Sequence, residues 1–470
     1  MPRPFGDVLV VLPGIMGSTL LDRHGHEVWG QEAALLHGVA LGGIGKLRLE
    51  DGIGDEHPGD GVTPGKLMPG VFAALGAWST SLGYGRLLEH LRRRYELTEL
   101  DPAHPERPAN FVPFAYDWRL SNRYNGRRLC REIEPVLARW REATGNPAAR
   151  LVFVCHSMGG LVARWYVDRE GGHADTRAVI TIGTPHRGSV MAVDRLANGV
   201  RWKAGPIGLD LTGLARSLPS LHQLLPAYAC VDDGKAMHTL TEWAALPAGL
   251  DGPAAHARAF YDELGPPAGS GLVRPIVGTD NPTMASVRFN GGGAELLRTM
   301  RLPDGTTDER AGDGTVPRFA AYPAGFTDQD PRLHFVRQTH GGLPGHEATL
   351  EQLTGVLDGS PIEFRSLAAR FGIDVDEVAA AGEPLVVRAE SEDERAVLQA
   401  TIAPADGAGA GRQAGRSVLT NLGGGRYETS FTDLPPGGYE VRVGRAYGPS
   451  PLIDAVVAAT VVADPEGGAQ

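Results

Sequence analysis

The sequence predicts an α/β chain: a mostly parallel sheet flanked by helices and topped by a helical cap, followed by a small antiparallel β-sandwich. Three observations predict it. Short apolar runs rich in β-branched residues, Asp7-Val-Leu-Val-Val-Leu12 and Leu151-Val-Phe-Val154 among them, read as buried parallel strands. Helical periodicity follows such runs, and residues 124–143 place Leu129, Ile133, Val136, Leu137 and Trp140 on one face. Beyond residue 384 the pattern changes to short alternating strands between Gly, Pro and Asp turns.

At 470 residues the chain is long enough for a large core and two domains. The formal charge of −11 argues against a nucleic-acid partner, because binding a polyanion needs clustered Lys and Arg. Acidity does not exclude lipid, whose recognition rests on apolar area. Three cysteines at 130, 155 and 230 give no disulfide framework. No charged-then-apolar leader opens the sequence, and no apolar run reaches the ~18 residues of a membrane span. These features predict a soluble, cytoplasmic protein.

The strand Leu151–Val154 runs into Cys155-His-Ser-Met-Gly-Gly160, and Leu161, Val162, Trp165 and Tyr166 then fall at helical spacing. A serine at the tip of a strand-to-helix turn, with small residues two positions either side, is the nucleophile elbow of α/β-hydrolases. Gly159 fits that rule. Cys155 stands where glycine is usual but is small enough to be tolerated. The bland alternative is a serine that only caps a buried helix.

Upstream, Val8–Leu12 leads into the glycine-rich loop Pro13-Gly-Ile-Met-Gly-Ser-Thr-Leu20. In hydrolases of this architecture one oxyanion amide follows the nucleophile and the other comes from such a loop. That assigns the Ile15 and Met158 N–H groups as donors. Residues 21–75 read as loop. Gly83–Arg94 resumes helical periodicity, and Asn110–Arg119 reads as a strand ending in a polar–aromatic cluster. There Asp117 and Arg119 are expected to pair and brace the following loop.

After the elbow helix, Ala178–Gly188 reads as the next strand and loop, with His186 in a structural turn. Residues of about 190–270 break the βα rhythm, suggesting a cap of several short helices over the serine. Leu272–Gly278 is the next strand.

A catalytic serine needs a base, and the base a carboxylate to fix its tautomer. Asp313, in the tight turn Gly312-Asp-Gly-Thr-Val316, is the candidate acid. Asp280, just after a strand, is its rival, and Asp304 reads as a surface turn. The base belongs between the strand Arg332–Arg337 and the last helix. His340 leaves the strand directly with glycines around it, whereas His346 caps or opens the helix. The order Ser157, Asp313, His340 is the chain order of α/β-hydrolase triads.

Pro13–Leu20, Phe114-Ala-Tyr-Asp-Trp-Arg119, His156-Ser-Met-Gly159, Gly312–Val316 and His340 with Thr349–Leu357 together resemble the lecithin:cholesterol acyltransferase-like lipases. That family includes lysosomal phospholipase A2 and phospholipid:diacylglycerol acyltransferase. The resemblance spans residues of about 7–358. It implies a serine esterase on glycerolipid or similar acyl esters, working through an acyl-enzyme with water or an alcohol as acceptor. It places the triad at Ser157, Asp313 and His340. The lid cysteines of secreted and lysosomal members have no counterpart, and Ile15-Met16 in the loop bears on head-group preference.

The expected organisation is a catalytic domain over 1–358 with the cap at about 190–270, a connecting segment over 359–383 with one short helix, and a β-sandwich over 384–470. Expected partners are a lipid or other acyl-ester substrate and transient membrane contact, with no nucleic acid; the sandwich suggests no partner. No cofactor is called for, and no His/Cys/Asp cluster has metal-ligand spacing. A non-lipid ester, a thioester or a peptide substrate, and a silent binding scaffold on the same fold, are the alternatives.

Overall fold

A computed structural model describes residues 2–30, 47–50, 53–54, 59–68, 83–204, 207–267, 271–359, 371–376, 378–380, 382–391, 394, 396–404, 415–445 and 455–462. Six strands form its central sheet: β1 (Val8–Leu12), β2 (Phe111–Pro113), β3 (Leu151–His156), β4 (Thr176–Ile182), β5 (Val273–Gly278) and β6 (His334–Val336). Their order is β6-β5-β4-β3-β1-β2, and every pairing is parallel. The continuous apolar runs of β1 and β3 follow from this, because every residue of both strands is buried.

Helices fill the connections. Those of eight or more described residues are α1 (Gly85–Arg94), α2 (Asn122–Thr144), α3 (Gly159–Arg169), α4 (Val190–Ala197), α5 (Asp251–Leu264) and α6 (Glu347–Leu357). Helix α2 starts at Ser121, whose side chain accepts from Tyr124 N, and ends at Gly145 in the left-handed region (φ 63°). Its apolar stripe of Leu129, Ile133, Val136 and Leu137 is buried as the periodicity requires. Helix α3 instead buries every residue from Gly159 to Val167, because it lies directly behind the sheet.

Three stretches differ from the sequence reading. Within residues 21–75, read as loop, Glu27–Trp29 and Thr63–Leu67 pair with Ser18–Leu21 in an antiparallel sheet. Thr63-Pro-Gly-Lys-Leu67 has neither alternation nor β-branched density, so it sends no strand signal. The cap is not purely helical. Besides α4 and α5 it holds a hairpin, Arg201–Ala204 with Ile207–Asp210, and two short strands, Val231–Asp232 and Met237–His238, that join Ser286–Asn290 and Gly293–Leu297 in one sheet. The tail begins to pair earlier than 384. Phe371–Val375 and Val378–Ala380, inside the expected connecting segment, are strands of its two sheets. The described residues of that segment contain no helix, and residues 360–370, where the expected short helix would have room, lie outside them.

The tail is a sandwich. One sheet holds Phe371–Val375, Leu385–Ser391, Arg426–Phe431 and Thr420–Gly423; the other holds Val378–Ala380, Ala455–Val462, Gly437–Arg445, Leu398–Pro404 and Gly415–Val418. All pairings are antiparallel except Val378–Ala380 with Ala455–Val462. Leu385, Val387 and Ala389 alternate inward against Leu398, Ala400 and Ile402, forming a core separate from that of the central sheet. The sandwich touches the rest of the chain where Ile373 N donates to Asn281 Oδ1 (3.3 Å) and where Arg86 pairs with Glu440 (3.0 Å).

Candidate active site

Ser157 sits at the end of β3 with φ 50°, in the left-handed region that non-glycine residues rarely adopt. Ser157 N donates to Ile182 O (2.9 Å), and Gly160 N to Ser157 O (3.1 Å), which closes the turn into α3. The space around it admits only small neighbours. A Cβ on Gly159 would lie 2.4 Å from Pro13 O, and one on Gly160 would lie 2.2 Å from Thr184 Oγ1. Cys155, the departure from the usual glycine, is accommodated wholly buried between Leu12 and Thr181 on the neighbouring strands. Burial drives its thiol well above the ordinary range, so it is an inert packing group.

The turn brings Ser157 against His340. Ser157 Oγ lies 2.8 Å from His340 Nε2, and His340 Nδ1 lies 2.7 Å from Asp313 Oδ2. The backbone repeats the link, since His340 N donates to Asp313 O (2.8 Å). Asp313 is 1% exposed, His340 5% and Ser157 7%, so the hydrogen-bonded line is shielded from bulk water except at its serine end. The second carboxylate oxygen, Asp313 Oδ1, accepts the N–H groups of Thr315 (2.9 Å) and Val316 (2.7 Å).

The rival residues lie elsewhere. Asp280 is held by Arg337. Asp304 accepts from Thr306 in an exposed turn (2.9 Å). His186 is buried against Thr181 Oγ1 (3.0 Å). His346 occupies the position before α6 but makes no side-chain capping bond.

Residues 14–17 form a turn closed by Gly17 N donating to Gly14 O (3.1 Å), with Met16 at φ 62°. A Cβ on Gly14 would fall 2.9 Å from that of Ser157, so the loop lies directly on the Ser157 side chain. Neither the Ile15 nor the Met158 N–H has an acceptor among the described residues. Both therefore remain able to donate to a ligand atom.

Residues 104–247 match the model of the lecithin:cholesterol acyltransferase family. Over these residues the chain is lecithin:cholesterol acyltransferase-like. That segment holds the serine turn but neither Asp313 nor His340, which the fold supplies from later loops. Among solved structures, Bacillus licheniformis lipase BlEst2 in its propeptide form is 12% identical, with 97% of this chain and 75% of that one covered and a TM-score of 0.35. Its mature form is 13% identical, with 76% and 94% covered and the same score. Phospholipase PlaB from Legionella pneumophila in complex with thio-NAD is 10% identical, with 97% and 92% covered and a TM-score of 0.21. A comparison with curated protein sequences gives no match.

Inside the lecithin:cholesterol acyltransferase-like segment, Tyr116-Asp-Trp-Arg119 braces the loop beside the serine. Tyr116 Oη donates to Pro13 O (2.8 Å), Trp118 Nε1 to Ser18 O (3.2 Å) and Tyr116 N to Ser18 Oγ (3.1 Å). Asp117 and Arg119 form the expected buried pair (2.8 Å), and Arg119 Nη1 also donates to Asp60 (2.8 Å). Outside the segment, Trp29 Nε1 donates to Met16 O (2.9 Å).

Three further contacts escaped the sequence reading. Tyr84, the residue before α1, lies 2.9 Å from His156 Nδ1 and accepts from Gly14 N (2.8 Å). His156 Nε2 reaches His340 O (3.1 Å). The histidine at 156 was visible in the elbow motif, but nothing local pointed to a tyrosine 72 positions away.

Proposed function

We propose that the protein is a serine esterase or lipase that cleaves or transfers the acyl group of lipid esters through an acyl-enzyme on Ser157. The observation that carries this reading is the continuous line from Ser157 Oγ through His340 to Asp313, at 2.8 and 2.7 Å. In the proposed reaction His340 Nε2 takes the Ser157 proton as Oγ attacks the ester carbonyl. The Ile15 and Met158 N–H groups receive the negative charge that develops on the carbonyl oxygen; one such donor is typically worth ~10²–10³ in rate. The C–O bond of the ester then breaks, and His340 returns the proton to the departing alcohol. Water or a second alcohol, deprotonated by the same imidazole, takes the acyl group from Ser157. Asp313 holds Nδ1–H throughout and stabilises the imidazolium.

The choice of lipid esters rests on the family match rather than on a pocket. A fluorophosphonate probe tests the nucleophile: it should label the wild type and not Ser157→Ala, whose turnover should fall by roughly 10⁴ or more. A panel of p-nitrophenyl esters of rising chain length, with phospholipid vesicles alongside, tests the substrate. A preference for acetyl over all longer chains, with phospholipid untouched, would point to a small non-lipid ester instead.

A further inference from the structure

The loop beside the serine and the histidine that faces it meet through a third group, the Tyr84–His156 pair, to which the acyl-transfer steps assign no part. The hydrogen positions along this line are dictated by chemistry. The His340 carbonyl can only accept, so the His156 Nε2 that lies 3.1 Å from it carries a proton and donates. Burial, with the nearby His340 ring adding to it, holds His156 far below the ordinary histidine range, so the ring is neutral and Nδ1 is bare. Nδ1 therefore accepts the Tyr84 hydroxyl proton at 2.9 Å, while the hydroxyl oxygen accepts Gly14 N–H at 2.8 Å. Every donor in this buried chain has one acceptor, all pointing the same way: Gly14 to Tyr84 to His156 to His340.

Its two ends reach the loop that carries Ile15 and the backbone of His340. Gly14 N–H is turned onto Tyr84, which fixes the Pro13–Gly14 peptide plane; the next plane, shared by Gly14 O and Ile15 N–H, is held in turn by Gly17 N donating to Gly14 O (3.1 Å). His340 is held at its carbonyl by His156 and at its amide by Asp313. Its ring then has only the Ser157 and Asp313 contacts left to choose. Gly17 makes the approach feasible, since a Cβ there would fall 2.9 Å from Tyr84 Oη.

We propose that Tyr84 and His156 are positioning residues that lock the Ile15 oxyanion turn and the His340 backbone into register with Ser157 through one directed hydrogen-bond line. This rests on the acyl-transfer reading above. A line of this kind acts on the transition state, where a small displacement of the oxyanion donor or the base is costly, and not on ground-state binding.

The test is a cycle of Tyr84→Phe, His156→Gln and the double variant, assayed on p-nitrophenyl butyrate, with Tyr166→Phe as control because its buried hydroxyl has no partner among the described residues. Each line variant is expected to lose about 10–100-fold in kcat with KM within about threefold, a split expected of an interaction that matters only in the transition state. The double variant is expected to be no more than about threefold worse than the poorer single one, because the first break already frees the line. Tyr166→Phe should keep wild-type kcat. Unchanged kcat in Tyr84→Phe, a rise in KM alone, or losses that multiply would each overturn the proposal while leaving the serine mechanism standing. A wild type that neither labels with fluorophosphonate nor hydrolyses the ester overturns both. Should a variant not fold, histidine ring-nitrogen NMR on the wild type reads the tautomer: Nε2–H with bare Nδ1 is expected for His156, and the reverse tautomer overturns the line.

Discussion

Asp313 and His340 are joined twice, once through the backbone (His340 N to Asp313 O, 2.8 Å) and once through the side chains (2.7 Å). The carboxylate is divided between two tasks. Oδ1 is engaged by the amides of Thr315 and Val316, leaving Oδ2 for the imidazole. Asp313→Asn should respect that division: its carbonyl will accept the two amides, and its NH2 will face His340 Nδ1. Two donors then confront each other unless the ring moves its proton to Nε2, the tautomer that cannot accept from Ser157. Turnover is expected to drop by about 10³–10⁴ with little loss of stability. Steady-state kinetics beside a thermal melt checks this, and a near wild-type rate in Asp313→Asn would remove this carboxylate from the reaction.

His340 and His346 give a sharper contrast. His340 Nε2 faces Ser157 Oγ, whereas His346 is half-buried at the start of α6, its Nδ1 without a partner among the described residues. His340→Ala should abolish ester turnover to the level of Ser157→Ala. His346→Ala should keep kcat within about threefold and show its cost in stability, in the ~1–2 kcal/mol range of a small cavity. Reversed outcomes would move the base to 346.

Gly159 meets backbone first and the Leu12 Cβ next. A methyl group there would approach Pro13 O to 2.4 Å and Leu12 O to 2.9 Å, and strand backbone cannot rotate away. Gly159→Ala should therefore push β3 from β1 or shift the serine turn, costing roughly 1–3 kcal/mol and slowing fluorophosphonate labelling. An alanine variant that melts and labels like the wild type would show that the turn has slack the geometry denies it.

The sequence carried the parts of this site that are local. A strand, a serine between small residues and a helix lie within sixteen positions, and Gly312–Val316 announces its own turn, so Ser157 and Asp313 could be read directly. His340 could be chosen over His346 because it leaves a strand, while His346 stands before a helix. What escaped was held together by long-range contacts. Tyr84 opens an ordinary amphipathic helix, and its hydroxyl becomes meaningful only once the fold sets it between Gly14 and His156. The Ser18–Leu21 sheet escaped because Thr63–Leu67 contains Pro64, Gly65 and Lys66, a composition that favours a turn. The strand Phe371–Val375 was overlooked beside a stretch that reads as a linker, though Ile373 and Val375 alternate into the sandwich core.

Buried histidines set the last expectation, on stability against pH. Burial holds His156 and His186 well below the ordinary value of 6.5, with the His340 ring and Arg164 respectively adding to it, and takes His222 to about 4. Each is neutral in the fold and takes a proton in the unfolded chain once the pH falls below 6.5. The unfolded state then binds more protons, so stability is complete above that pH and is lost as the pH drops beneath it. One such group contributes a slope of up to about 1.4 kcal/mol per pH unit. Urea unfolding between pH of about 6.5 and about 5, above the range in which most carboxylates titrate, should show the decline. His186→Gln, which keeps a polar group near Thr181 but cannot ionise, should make the decline shallower by up to that amount. A wild-type stability that is level or rising on acidification, or an unaltered slope in the variant, would mean that these rings reach solvent in the native state and carry their protons there.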